Sequence, residues 1–123
     1  MKNTFYEFDP VLYPIKLWII VTNSNKIIND KFYAYPEGEI GIDFTKVDAG
    51  VILSRHRESK YIGILMVFES TKYLTMENVA HETCHATEEI WKHLYEQEWG
   101  SEANAYLSGW IADCCWKVKI GKV

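Results

Sequence analysis

Two histidines and a glutamate in the second half of the chain have the spacing of a metal site. His81 and His85 lie four residues apart, so a helix would place both imidazoles on one side, with Cβ atoms about 6 Å apart. Two Zn–N bonds of about 2.0–2.1 Å can span that gap. Glu82 would project further round the helix, where a general base can act without binding the ion. The pattern predicts two metal ligands and a base on one helix.

Local signals around this motif predict the helix that must carry it. Thr75 is a suitable N-cap, and Leu74 and Val79 occupy the two positions of a hydrophobic staple. We therefore expect a helix over residues 75–99, ended by Gly100. Its apolar stripe would comprise Ala80, Cys84, Thr87, Trp91, Leu94 and Tyr95.

A zinc site that catalyses hydrolysis needs a third protein ligand, and the sequence offers Glu102. It follows the Gly100 break and begins a second helix, predicted over residues 101–117 with Ser101 as its cap, which must fold back to bury its apolar face. The alternatives are Glu98, His93 and Asp113. The first two lie too far along the helix axis from the imidazoles, and Asp113 would need a different helix crossing.

These residues resemble a known family. The run His81-Glu82-Thr83-Cys84-His85, followed by Glu102, resembles the zincin metallopeptidases of the gluzincin branch. The string Glu102-Ala103-Asn104-Ala105-Tyr106 is similar to the third-ligand segment of ImmA/IrrE-type zinc peptidases, and small zincin-like proteins of phages and mobile elements have a similar layout. The resemblance covers residues 61–115. It implies that the strand Tyr61–Phe68 lines a substrate cleft, with Ile64 and Met66 on a strand whose edge pairs with a peptide.

The motif and the resemblance together favour a zinc-dependent, peptidase-like hydrolase acting on a peptide or protein substrate. His81, His85 and Glu102 would hold Zn²⁺, and Glu82 would be the general base. Tyr106 would either donate to a developing oxyanion or pack between the two helices. The alternative is a catalytically weak or inactive zincin-fold binding module of mobile-element origin that acts through a protein partner, because no second domain is expected to close a cleft.

The elements before the motif are predicted to be strands of a single domain spanning residues 1–123. Alternating or β-branched runs bounded by turn signals indicate five of them, and the last two form a hairpin. These runs are 16–22, 31–35, 40–44, 51–56 and 61–68. We therefore expect an α+β fold in which a mostly antiparallel sheet, over residues 1–70, is followed by two packed helices.

The composition of the chain disfavours nucleic acids and membranes as partners. The chain of 123 residues has 17 acidic and 13 basic side chains, a formal charge of -4, which disfavours a nucleic-acid partner held by phosphate contacts. Three cysteines, no apolar leader and no long apolar run predict a reduced cytoplasmic protein without membrane contact. Aromatic residues make up 15% of the chain, and helices on only one sheet face would leave the other face for a homodimer or protein partner.

Overall fold

The computed structural model describes residues 5–94 and 100–123 as an α+β fold with a five-stranded sheet and three α-helices. The strands are β1 (Phe5–Phe8), β2 (Lys16–Val21), β3 (Phe32–Ala34), β4 (Ala49–His56) and β5 (Ile62–Phe68). The helices are α1 (Asn25–Lys31), α2 (Met76–Leu94) and α3 (Ser101–Ile120), and a short 3₁₀ turn, Thr71–Tyr73, precedes α2. The predicted class, with a five-stranded sheet followed by two helices, is confirmed.

The sheet is mixed, with strand order β1-β2-β5-β4-β3. β2 runs parallel to β5, while the other three pairings are antiparallel. The predicted hairpin is the β4–β5 pair, in which Arg55 lies opposite Ile62. β5 is the central strand, so neighbouring strands pair with both of its edges. The expectation that a peptide pairs with the edge of the Tyr61–Phe68 strand is therefore wrong.

One of the five predicted strands is not part of the sheet. Residues 40–44 form no strand, and β1 takes the fifth place instead. Asn29 on α1 accepts from the backbone N–H of Ile40 at 2.8 Å and donates to its carbonyl at 2.7 Å. Asn25 bonds both backbone groups of Ile42 in the same way. These two amide side chains take the place of a neighbouring strand, which explains why the segment alternates like one.

Two apolar clusters occupy opposite faces of the sheet, and β5 contributes to both. Ile64, Met66 and Phe68 pack towards α2 and α3, whereas Leu65 and Val67 pack towards α1 and the segment around Ile40. The alternation follows the two-residue period of a strand. The second sheet face is therefore covered, contrary to the expectation that it would be left for a partner.

The two C-terminal helices form the framework of the candidate site. Thr75 caps α2 as predicted, since its hydroxyl accepts from the N–H of Asn78 at 3.1 Å. The predicted continuation of this helix through Tyr95 and Glu98 lies outside the described residues. α3 folds back along α2, and the indole of Trp91 donates to the Asn104 side chain at 3.1 Å. Gly100, rather than Ser101, is the N-cap of α3, which is three residues longer than predicted.

None of the helices in the described ranges is both long enough and apolar enough to cross a bilayer.

Candidate metal site

The histidine motif lines a cleft of about 520 Å³ between α2 and the first half of β4. The helix contributes Glu77, Asn78, His81, Glu82, His85 and Glu89, and the other wall is formed by Val47, Asp48, Ala49, Gly50 and Val51. The helical spacing that the sequence predicts thus brings both imidazoles and the glutamate into one cavity.

The two imidazoles lie side by side at the mouth of this cleft. Their ring centroids are 4.9 Å apart at an interplanar angle of 72°. The side chains of His81 and His85 are 66% and 54% exposed, so neither ring is packed into the core. Nδ1 of His85 lies 3.4 Å from Oε1 of Glu88, one turn further along the helix. Both rings therefore remain accessible to an ion arriving from solvent.

Glu82 differs from the histidines because it is buried, at 8% exposure. Its Oε2 lies 4.0 Å from Nε2 of His81, and within residues 5–94 and 100–123 its carboxylate makes no hydrogen bond. Burial raises the pKa of Glu82 above that of an ordinary glutamate, while positive charge on His81 and His85 acts in the opposite direction. A poorly solvated carboxylate beside two imidazoles has the character of a general base.

Glu102 does not share the cleft. It is exposed in the first turn of α3, near the end of α2 that carries Trp91. α3 packs against the side of α2 that carries Thr83 and Thr87, where a second groove of about 580 Å³ lies between the helices. α3 folds back as expected, but on the side of α2 away from the imidazoles.

The donor set fits zinc in part. A catalytic zinc has three protein ligands and one open position. Two imidazoles one helical turn apart supply two of these ligands. Within the described ranges, however, no group of three His, Cys, Asp or Glu side chains is arranged to hold a metal ion. The residues in place could supply two of the three ligands that such a zinc needs.

The remaining predicted site residues lie elsewhere. Tyr106 is 77% exposed and lines a different pocket with Tyr13 and Trp110. It is therefore neither packed between the helices nor directed at the histidine cleft. Ile64 and Met66 are fully buried under α2 and α3, so they belong to the core and cannot contact a substrate.

Several cleft residues were not predicted. Glu89 could have been found from helical spacing, because it lies four residues after His85 and seven after Glu82. Asp48 and the start of β4 gave no such signal, since their place opposite α2 depends on how the helix packs against the sheet.

Comparisons of the chain with protein-family models, curated proteins and solved structures gave no match.

Proposed function

We propose that this protein is a zinc-dependent, peptidase-like hydrolase whose centre is the cleft between α2 and β4. The observation that carries the proposal is the placement of Glu82: a buried carboxylate without a hydrogen bond in the described chain lines the same cavity as two exposed imidazoles one turn apart. A buried carboxylate without a hydrogen bond is costly to maintain, which favours a role in chemistry over a role in folding.

The residues of the cleft have distinct roles in this proposal. His81 and His85 would hold the ion, and zinc when bound would polarise a carbonyl and acidify water. Glu82 takes a proton from water at the carboxylate and passes it to the leaving amine. Glu102 is the third ligand that the sequence resemblance implies, but it lies outside the cleft, so it would reach the ion only if the start of α3 moved. Histidine and carboxylate ligands also suit manganese, cobalt and nickel, so zinc is the preferred rather than the exclusive ion.

The outer edge of β4 offers a place for the substrate. β3 pairs with β4 only from Ser54 to His56, so the edge of Ala49–Ile52 that faces away from β5 has no strand partner among the described residues. The same stretch borders the histidine cleft. A peptide strand paired with this edge would lie alongside α2, because backbone hydrogen bonds position an added strand regardless of its sequence. The substrate strand is therefore proposed for β4 instead of β5.

Metal binding is tested first, on protein purified without added metal. Titration with Zn²⁺ against a chromophoric chelator should reveal one tight site. His81→Ala and His85→Ala should each weaken zinc binding by at least roughly tenfold, the lower end of what loss of even an outer-shell partner costs. His93→Ala, two turns further along α2, is the matched control and should bind zinc like the wild type. Failure of the wild type to take up zinc would overturn the proposal.

Catalysis is tested with a proteome-derived peptide library and mass spectrometry. The zinc-loaded wild type should generate new peptide ends, and Glu82→Gln should abolish them while retaining the zinc affinity. Glu89→Gln, which removes another carboxylate from the same cleft, should still cleave. Undiminished cleavage by Glu82→Gln would remove Glu82 from the mechanism.

A second function, a binding module without catalysis, is favoured by the position of Glu102 outside the cleft. The two functions differ in the number of protein ligands to zinc, because the hydrolase needs Glu102 as a third ligand and the binding module does not. In the hydrolase, Glu102→Gln should weaken zinc binding at least roughly tenfold and abolish cleavage. In the binding module, the variant should bind zinc normally, and no peptide should be cleaved by the wild type. In either case the proposed partner is a peptide or protein in the cytoplasm.

A further inference from the structure

Beyond the cleft, the last side chain on the face of β4 that is directed towards α2 is the cationic Arg55. Val51 and Leu53 pack against the cluster that the sheet shares with α2. Because side chains alternate along a strand, Arg55 lies on the same side. At about 3.3 Å per residue, it lies roughly 13 Å further along the strand than Val51, which borders the histidine cleft.

Arg55 is held in place but lacks an acceptor. Its Nε is buried and has no hydrogen-bond partner, and within the described chain its guanidinium forms no ion pair. The guanidinium carbon lies 5.2 Å from the ring centroid of Tyr35. Nearby Arg57 differs, because its Nε donates to the carbonyl of Asn29 at 2.6 Å while its guanidinium lies over Tyr33. The terminal guanidinium nitrogens make no hydrogen bond within the described chain either, but unlike Nε they are not buried, so an acceptor from outside the described chain can reach them.

Contacts of Tyr35 place Arg55 relative to α2. The ring of Tyr35 lies edge-on to His93, with centroids 5.7 Å apart. His93 follows Glu82 by eleven residues, which is a repeat of one helix face. β4 and α2 thus run in the same direction, from the histidine cleft, where Asp48 lies, towards Arg55 and His93 beyond it.

We propose that Arg55, stacked on Tyr35 beside His93, binds a carboxylate of the substrate about four residues from the bond at which Glu82 acts. The identity of that ligand as part of a substrate rests on the proposed hydrolase function, whereas carboxylate binding itself needs no metal. Arginine suits this role because its planar fork matches a carboxylate. An acidic side chain and a peptide C-terminus both carry a carboxylate, and the probes of the first experiment distinguish between these two sources.

The first test follows the Arg55 Nε–H signal of the wild-type protein by nuclear magnetic resonance. The probes are N-acetylglutamate α-amide, which has only a side-chain carboxylate, N-acetylalanine, which has only a terminal one, and N-acetylglutamine α-amide, which has neither. We expect a saturable downfield shift with one or both carboxylates and none with the neutral amide. No saturable shift with either carboxylate, or an equal shift with all three probes, would overturn the proposal.

The second test uses the peptide-library cleavage described above. Peptides with Asp, Glu or a free C-terminus about four positions from the cleaved bond should be enriched, and Arg55→Gln should reduce that enrichment roughly tenfold, as expected for loss of a charge-assisted pair. Arg55→Lys, which retains the charge and stem but lacks the fork, should lose most of it, and Arg57→Gln should retain it. Cleavage without enrichment overturns the carboxylate site and leaves the hydrolase standing. Absence of zinc uptake and cleavage overturns the hydrolase, and the resonance titration still decides the Arg55 site.

Discussion

Individual cysteines in this chain differ in how much water reaches them. Cys84, within the histidine motif, is exposed, whereas Cys114 and Cys115 on α3 are buried. Burial raises the pKa of each α3 thiol to about 12. Because only the thiolate is a good nucleophile, both α3 thiols remain protonated and unreactive near neutral pH.

We predict that the native protein presents one reactive thiol. At pH 8, titration with a chromogenic disulfide reagent should give one fast equivalent from Cys84 and two slow ones. Cys84→Ser should remove the fast phase, and unfolding in guanidinium chloride should release all remaining thiols. A second fast thiol in the native protein would contradict the burial of α3 against the sheet.

Gly63 is a position where the backbone leaves no room for a side chain. A Cβ added there would lie 2.6 Å from Cζ3 of Trp18 and 2.7 Å from the carbonyl oxygen of Lys16. Gly63→Ala should therefore lower the free energy of unfolding by about 1–3 kcal/mol, the usual cost of overpacking. Urea denaturation followed by tryptophan fluorescence measures this change.

Gly109 provides the matched control for that substitution. It lies within α3, where an added Cβ would meet nothing within 4 Å. Gly109→Ala should raise stability by about 0.5–1 kcal/mol, because alanine loses less backbone entropy in a helix. Equal effects of the two substitutions would contradict the close approach of β5 to Trp18.

At the scale of elements, α1 acts as a support for an extended segment. The Asn29 side chain satisfies both backbone groups of Ile40, which is 4% exposed. Asn29→Ala should destabilise the protein by about 1–3 kcal/mol, since it leaves a buried N–H and C=O unpaired. Lys26→Ala, which removes an exposed ion pair on the same helix, should change stability by less than about 0.5 kcal/mol. Both variants are compared by urea denaturation.

Secondary-structure elements with strong local sequence signals could be predicted, whereas elements that depend on contacts with distant parts of the chain could not. The Thr75 cap and the apolar periodicity identified α2, although Ala80 and Cys84 of the predicted stripe are exposed. α1 was missed because its cap, Ser24, lies in an Asn-Ser-Asn run that is typical of turns. Residues 40–44 were mistaken for a strand because their alternation is real, although α1 rather than a strand satisfies their backbone.

The same distinction applies to the candidate site. The spacing of His81 and His85 determines that they share a helix face, so their meeting in one cleft followed from the sequence. The place of Glu102 depends on which side of α2 receives α3. Apolar residues lie on more than one side of α2, so the sequence of the helix does not determine the side against which α3 packs. The unpaired outer edge of the first half of β4 could not be predicted either, because it exists only since β3 is too short to cover it.

At the scale of the whole molecule, β5 joins two cores into one cooperative unit. Leu65 and Ile64 are adjacent in sequence, fully buried, and belong to clusters on opposite faces of the sheet. Loosening one face therefore removes support from the other through the shared strand. The structure thus favours a single unfolding transition over separate loss of the two layers.

We predict that Leu65→Ala destabilises both layers equally. The substitution should cost about 2–5 kcal/mol, as for other large cavities in a core. The denaturation midpoint should fall by the same amount in the nuclear magnetic resonance signal of the Trp18 indole, which is buried in the same cluster as Leu65, and in far-ultraviolet circular dichroism, which reports mainly α2 and α3. Separated midpoints would contradict the shared unit.

The parallel pairing of β2 with β5 also determines the order in which the chain can assemble during synthesis. β2 can meet β1 early, but a ribosome must make α1, β3 and β4 before the central neighbour of β2 exists. Pairing β4 with β5 closes only a short loop, which favours early formation of this hairpin. Pairing β2 with β5 has a larger entropic cost, because it closes the long loop that contains α1, β3 and β4. Until then the edge of Leu17–Val21 that pairs with β5 in the folded protein stays uncovered, so a nascent chain of this protein exposes an apolar strand edge.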